Sequence, residues 1–263
     1  MFAARNMTFA SALDPAIIAL RNASGAPDLA GLNTLASYIR GQGLISQARG
    51  FPMKTAQNAG SGSTVYGYGD LTANNMTLVN SPTWSASGIA MNTTTQFGHM
   101  ADFLDAETIT VFVRRSGTLG AVGTPMVSQL DFTGNQRSWA ITASSSSTSV
   151  ISVRRSPDGS SALQELYNGD ASSLVTADTT YVAQWSNGGG RNVWTNKTER
   201  TLTLVSGPQT SRLNATAAIM LNAFGTVAVP SGFMGGTYLH LLIVRGTITT
   251  PQRETITDLI NAL

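Results

Sequence analysis

Cysteine is absent from the 263 residues. Disulfide staples, thiolate nucleophiles and cysteine-based zinc sites are therefore excluded. Charge is nearly as scarce. Asp, Glu, Lys and Arg make up 11% of the chain, against roughly 25% in an ordinary soluble domain. Lysine occurs only at Lys54 and Lys197, and the net charge is +2. No Lys/Arg-rich run exists, so the electrostatic footprint of a nucleic-acid binder is missing. The pairs Arg114-Arg115 and Arg154-Arg155 come closest, and each is expected at the solvated end of an apolar strand. Long apolar runs are also lacking. Stretches such as Tyr238–Val244 fall far short of the ~20 residues that cross a bilayer. The opening Met1-Phe-Ala-Ala-Arg-Asn6 has no charged region followed by a long apolar run. Synthesis without export by the general route is the expectation. The N-x-S/T triplets at Asn6, Asn75, Asn92 and Asn214 are then chance products of an Asn/Thr-rich chain.

What the sequence does hold is glycine, at 26 residues, with abundant Ser, Thr and Asn. Many short strands joined by tight turns fit that composition. A surface of hydroxyls and amides follows, as in proteins that lie against other protein. Arginine in place of lysine suits packed contacts, because its planar fork is pre-organised.

The beginning of the chain differs from the rest. Asp14-Pro15 opens a helix carrying Ile17, Ile18 and Leu20. After Gly25, the segment Asp28–Arg40 sets Leu32, Leu35 and Ile39 on one helical face. That stripe either caps the body of the protein or docks onto a neighbouring subunit. Residues 49–75 read as a small, polar, irregular loop, long for a structureless connection. Its alternating Tyr66 and Tyr68 are candidate anchors. We assign 1–75 as a helical and looping assembly arm and 76–263 as the principal domain.

Strand signals then recur at short intervals. Glu107–Val113 alternates, with Ile109, Val111 and Val113 on one face and Thr108, Thr110 and Phe112 on the other. Thr180–Trp185, the turn Ser186–Gly190 and Arg191–Asn196 form a hairpin pattern. Thr249-Thr-Pro-Gln starts a capped final helix whose Ile256, Leu259, Ile260 and Leu263 share a face. Too short to stand alone, it must pack on the strands.

The order Glu107–Val113, Thr180–Trp185, Arg191–Asn196, Phe233–Val244 and final helix resembles a laminin-G-like or concanavalin A-like domain over about residues 76–263. Phe233-Met234-Gly235 stands where that family has Phe-x-Gly. The resemblance implies a mostly β fold: a two-sheet antiparallel jelly-roll sandwich with an N-terminal helical segment and a short C-terminal helix. A second resemblance concerns Phe51–Gly67 followed by Leu71–Val79, which is similar to a stretch in tailed-bacteriophage virion proteins that carry such jelly rolls. It implies a capsid decoration or other head or tail component, located in the virion and made in the bacterial cytoplasm. Neighbouring virion subunits or further copies of the chain would be its partners, bound through Leu32, Leu35, Ile39, Tyr66 and Tyr68.

Catalytic constellations are hard to find. Sugar-cleaving enzymes need two carboxylates across one bond. Glu165 and Asp170 are separated by a hairpin turn at Asn168-Gly169. Asp102, Asp105 and Glu107 form the densest acidic patch, a weak match to a calcium site. His99 and His240 are the only histidines, too few for a usual zinc centre. His240 lies in an apolar strand, where a satisfied, half-buried imidazole is expected. No phosphate loop or nucleophile elbow occurs. The expectation is a non-enzymatic structural protein without cofactor or metal, and without nucleic-acid or membrane partners. The alternative is a carbohydrate-binding adhesin of a tail or head fibre. Trp185 and Trp194 flanking the glycine turn would then stack on a host-surface glycan, although core burial of both is the competing outcome. A glycan hydrolase using Glu165 or Asp170 is the third possibility.

Overall fold

The computed structural model describes residues 12–71, 75–101, 108–117, 124–131, 136–143, 151–155, 165–168, 177–186, 191–206 and 218–263. Two antiparallel sheets face one another. Among the described residues the front sheet runs Thr198–Glu199, Arg191–Thr195, Thr179–Ser186, Thr108–Ser116, Gly236–Arg245, Gly88–Met91, Thr83–Ser85, and Ala48–Pro52 pairs with Gly236–Arg245 as well. The back sheet runs Thr203–Ser206, Glu165–Asn168, Ile151–Arg155, Gln136–Ala143, Pro125–Asp131, Ile219–Leu221, Phe97–Met100, Met76–Val79, Thr64–Val65. This is the expected jelly-roll sandwich.

The alternation in Thr108–Ser116 sorts its side chains as expected. Ile109, Val111 and Val113 enter the core between the sheets, with Leu241 and Ile243 of Gly236–Arg245. Phe112, Leu242 and Val244 point outward. Those outward residues are dry, because three helices cover the front sheet. Strands buried on both faces read as near-continuous apolar runs, which explains Tyr238–Val244.

The covering layer is α1 (Pro15–Ser24), α2 (Ala30–Gly41) and α3 (Thr250–Asn261). Asp14 caps α1 by accepting from the Ala16 amide at 2.9 Å, and Gly25 ends it in the left-handed conformation, φ 70°. Arg40, in the last turn of α2, clasps Asp14 at 2.6 and 2.9 Å and reaches Asp70 at 3.1 Å. The hydrogen bond from Arg40 holds the Asp14 carboxyl below its usual range, against the opposing effect of burial. In α3, Thr249 and Gln252 form a reciprocal capping box. Ile256 and Ile260 are buried on its expected face, with Leu259 and Leu263 packed alongside. No helix among the described residues is long and apolar enough to cross a membrane.

Three expectations are corrected. First, the boundary at residue 75 does not separate two cores. Phe51, Met53, Val65 and Leu71 lie in the core between the sheets. Ala48–Pro52, expected as loop, pairs in register from Ala48 opposite Val244 to Pro52 opposite His240. Second, the stripe of Leu32, Leu35 and Ile39 is fully buried against the front sheet and α3. It is spent within the molecule and offers nothing to a neighbour. Third, Arg114 and Arg115 are not solvated strand ends. Arg114 makes a two-point contact with Asp178 at 2.8 and 2.7 Å and donates to the Ile260 carbonyl at 2.6 Å. It thereby ties α3 to the sheet. Arg115 is fully buried, donates to the Gly235 carbonyl at 2.9 Å and lies over the Tyr238 ring.

Candidate functional site

Trp185 and Trp194 lie on the two strands of one hairpin. Thr179–Ser186 pairs with Arg191–Thr195 so that Trp185 stands opposite Arg191 and Val182 opposite Trp194. Trp185 points between the sheets and is fully buried, its ring centroid 5.3 Å from that of Trp139. Trp194 points the other way, toward α3, where the Arg253 guanidinium lies 4.1 Å above its ring. Both indoles are internal, the core burial set against a sugar platform above, and neither offers a stacking face to a glycan. Packing has taken both rings because each face of this sheet is covered. The cost is visible: neither indole N–H has a partner among the described residues.

The hairpin nevertheless borders an opening. A cleft of about 360 Å³ lies at the outermost edge of the front sheet, lined by Arg191, Asn192, Glu199, Arg200, Thr201 and Leu202. The chain turns tightly at Asn196, φ 54°, to form the edge strand Thr198–Glu199. It then passes to the back sheet at Thr203–Ser206. The Arg200 amide donates to the Val193 carbonyl at 2.9 Å, which fixes the bend. Asn192 Nδ2 donates to Glu199 Oε1 at 2.7 Å. Leu202, half-buried, packs against the core beside the cleft. Arg191 and Arg200 are half-buried, with their Nε atoms enclosed. Sequence reasoning passed over these residues. Their one signal was that Arg191 and Val193 alternate onto the Trp185 face with polar Asn192 between them on the other.

The residues proposed as assembly contacts are elsewhere. Tyr68 is buried, and its hydroxyl lies 3.0 Å from His240 Nε2. Tyr66 is half-buried, and its amide donates to Asn58 Oδ1 at 3.0 Å. Both therefore anchor their own segment. Gly50 makes this possible: a Cβ there would stand 2.3 Å from the Tyr68 ring. His240 is fully buried rather than half-buried, and its Nδ1 has no partner among the described residues. Burial, with Arg114 and Lys54 nearby, pulls its pKa down to about 3 and keeps the ring neutral. That is the state of a packed residue, not of a general base working near pH 7. His99 is half-buried on Phe97–Met100, and burial lowers its pKa.

Asp102, Asp105, Glu107 and Asp170 lie outside the described residues, as does the Glu165 side chain. No group of three or more His, Asp or Glu side chains is placed to hold a metal among the described residues. Two further hollows flank the helices. One, of about 480 Å³, is lined by Asp28, Lys54, Gln57 and Leu263, among others, with Lys54 donating to the Leu263 carbonyl at 2.5 Å. The other, of about 460 Å³, lies between α1 and α2 beside Leu13, Ala26 and Leu29.

No family model matches the chain, and no curated protein matches it. Solved structures do. A mutant of Trypanosoma rangeli sialidase displaying trans-sialidase activity aligns over 87% of this chain and 39% of its own, with TM-score 0.55 and 10% identity. The ligand-binding domain of botulinum neurotoxin serotype D, in complex with N-acetylneuraminic acid, aligns over 82% of this chain and 52% of its own, with TM-score 0.55 and 6% identity. The carbohydrate-binding module of family 40 from a Ruminococcus gnavus sialidase, bound to α2,3-sialyllactose, gives TM-score 0.47 and 12% identity over 58% of this chain and 83% of its own. At such identities the shared property is the fold.

Proposed function

We propose that this chain is a non-catalytic, glycan-binding sandwich domain. The carrying observation is the edge cleft at Arg191–Leu202, lined by guanidinium, amide, carboxylate and hydroxyl groups together with the half-buried Leu202. A sugar presents the matching surface, with a fan of hydroxyls around a ring whose faces are partly apolar. The fold supports the reading by analogy, since the neurotoxin domain of the same fold binds N-acetylneuraminic acid. A binding role fits the cleft better than cleavage. Among the described residues its lining holds one carboxylate, Glu199, whereas most glycosidases flank the scissile bond with two.

The test is a glycan array spanning neutral and acidic oligosaccharides, followed by solution titration of any hit. Retention of at least one glycan, displaced by free sugar and without turnover, is the expected result. An array with no saturable hit would remove the binding role, and release of reducing sugar would remove the non-catalytic one.

A second reading concerns setting rather than chemistry. The scarcity of charge and the resemblance of Phe51–Gly67 and Leu71–Val79 to a stretch of phage virion proteins support display of this domain on a virus particle. Mass spectrometry of purified particles is expected to find the chain at a fixed ratio to the major subunit. Its absence from particles would end that reading.

A further inference from the structure

Resting on the glycan-binding reading, we infer that the hollow bounded by Pro27-Asp28, Lys54–Gln57, Ala86 and Leu263 is a second sugar site, one that takes a neutral, hydroxyl-rich ring. Its volume of about 480 Å³ falls within the usual range of small-ligand pockets, about 300–1,000 Å³. An unsatisfied atom sets it apart from the hollow between α1 and α2. Gln57 lines it, and this residue is 4% exposed, with no partner for Oε1 among the described residues. A buried amide oxygen left unpaired is costly, and a ligand that donates to it recovers the loss. Between α1 and α2, by contrast, the buried Asn33 accepts from the Asp14 amide at 2.6 Å.

The wall is fixed before any ligand arrives. Thr55–Gln57 forms a single 3-10 turn, and the Gln57 amide donates to the Lys54 carbonyl at 3.0 Å. Asn58, 2% exposed, pins the end of that turn by donating to the carbonyls of Pro52 and Tyr66, both at 2.8 Å. The Asp28 amide donates to the Ala56 carbonyl at 2.9 Å and ties the opposite rim to it. The Gln57 head group is held more loosely. Its Nε2 reaches the Leu263 carbonyl at 3.5 Å, the outer limit of a hydrogen bond, and Lys54 already donates to that carbonyl at 2.5 Å. The terminal torsion of a glutamine is broad, so the amide can turn its oxygen toward a donor in the hollow at small cost. Charge and shape then select the ligand. Among the described lining residues Lys54 and Asp28 carry one charge of each sign, so a charged ligand would meet its like on one side. Gln57 Oε1 and Asp28 accept, Lys54 donates and Thr55 does both. Sugar hydroxyls both donate and accept, and so answer all four. Pro27, Ala56, Ala86 and Leu263 form the apolar part of the wall, which suits the C–H face of a sugar ring.

The experiment titrates neutral trisaccharides (maltotriose, cellotriose and N-acetylated chitotriose) into the full chain while amide resonances are followed. Trigalacturonic acid and deacetylated chitotriose serve as the acidic and basic counterparts. At least one neutral trisaccharide is expected to shift the resonances of Asp28 and of residues 54–57, and to bind there more tightly than either charged one. Gln57→Met keeps the length of the side chain and loses the amide, and is expected to weaken that binding about tenfold. Ala86→Trp, at an exposed position on the rim, is expected to block it. Thermal melts show whether each variant is folded, and the rim variant stands where Gln57→Met is not. Shifts confined to residues 191–202 would overturn the inference and leave the glycan-binding reading in place. So would tighter binding of a charged trisaccharide, or binding at residues 54–57 that Ala86→Trp leaves unchanged. Failure of every trisaccharide to bind at residues 54–57 would likewise overturn the inference alone, whereas a glycan array without a saturable hit would overturn both.

Discussion

Removing residues 1–60 is expected to unfold the sandwich rather than release a detachable arm. The deletion takes away α1, α2 and Ala48–Pro52. It strips Ile17, Leu20, Leu32, Leu35, Ile39 and Phe51, each essentially fully buried. Burying one such side chain contributes about 1.5–3 kcal/mol. Their combined loss is on the order of 10 kcal/mol, against a total stability of about 5–15 kcal/mol for a typical domain. Phe112, Leu242 and Val244 would lose part of their cover and face water. His240–Val244 would also lose its hydrogen-bonded partner on one side. Near-ultraviolet circular dichroism of the truncated chain should show no fixed aromatic packing, and its melt should lose cooperativity. A cooperative melt within a few degrees of the full chain would refute this account. One consequence concerns assembly. A truncated chain missing from particles would report a lost fold, so docking must be probed by single surface substitutions.

Trp185→Ala is the second large effect. Trp185 sits between the sheets against Trp139, and both are fully buried. Removing a buried indole costs about 3–5 kcal/mol, through lost transfer energy and the cavity left behind. Chemical denaturation should show that loss, and Trp185→Phe should recover part of it. If Trp185 were instead a sugar platform, the alanine variant would keep its stability and lose only binding. Trp194→Ala should behave like the core variant on a smaller scale, because it removes the ring beneath Arg253. An undiminished denaturation midpoint for Trp185→Ala would show that the indole is not packed as described.

Much of the framework was readable along the chain. Asp14-Pro15 and Thr249–Gln252 announced helix starts through capping chemistry that is local and strong. The alternation of Ile109, Val111 and Val113 marked a core face because strand side chains repeat every two residues. Ala48–Pro52 escaped notice for an equally physical reason. It is short, contains Gly50 and ends in Pro52, and all five of its residues are buried, so it shows neither alternation nor β-propensity. Its strand character comes from Gly236–Arg245 beside it. Arg114 and Arg115 were misread because a charged pair in sequence usually means water. Asp178, the Ile260 carbonyl and the Gly235 carbonyl make their burial tolerable, and those partners lie more than 60 residues away in the chain.

The candidate site divides the same way. Composition and local pattern were enough for a charge-poor, disulfide-free β sandwich framed by short helices, since turn chemistry, strand period and capping act over a few residues. Which faces stay wet was decided only when α1, α2 and α3 came to rest on the front sheet. That cover turned Leu32, Leu35 and Ile39 from a docking stripe into core. With the core between the sheets, it withdrew Trp185 and Trp194 from solvent and left the polar edge at Arg191–Leu202 as the cleft. Burial is a property of what another part of the chain places over a surface, and no short window of residues contains that information.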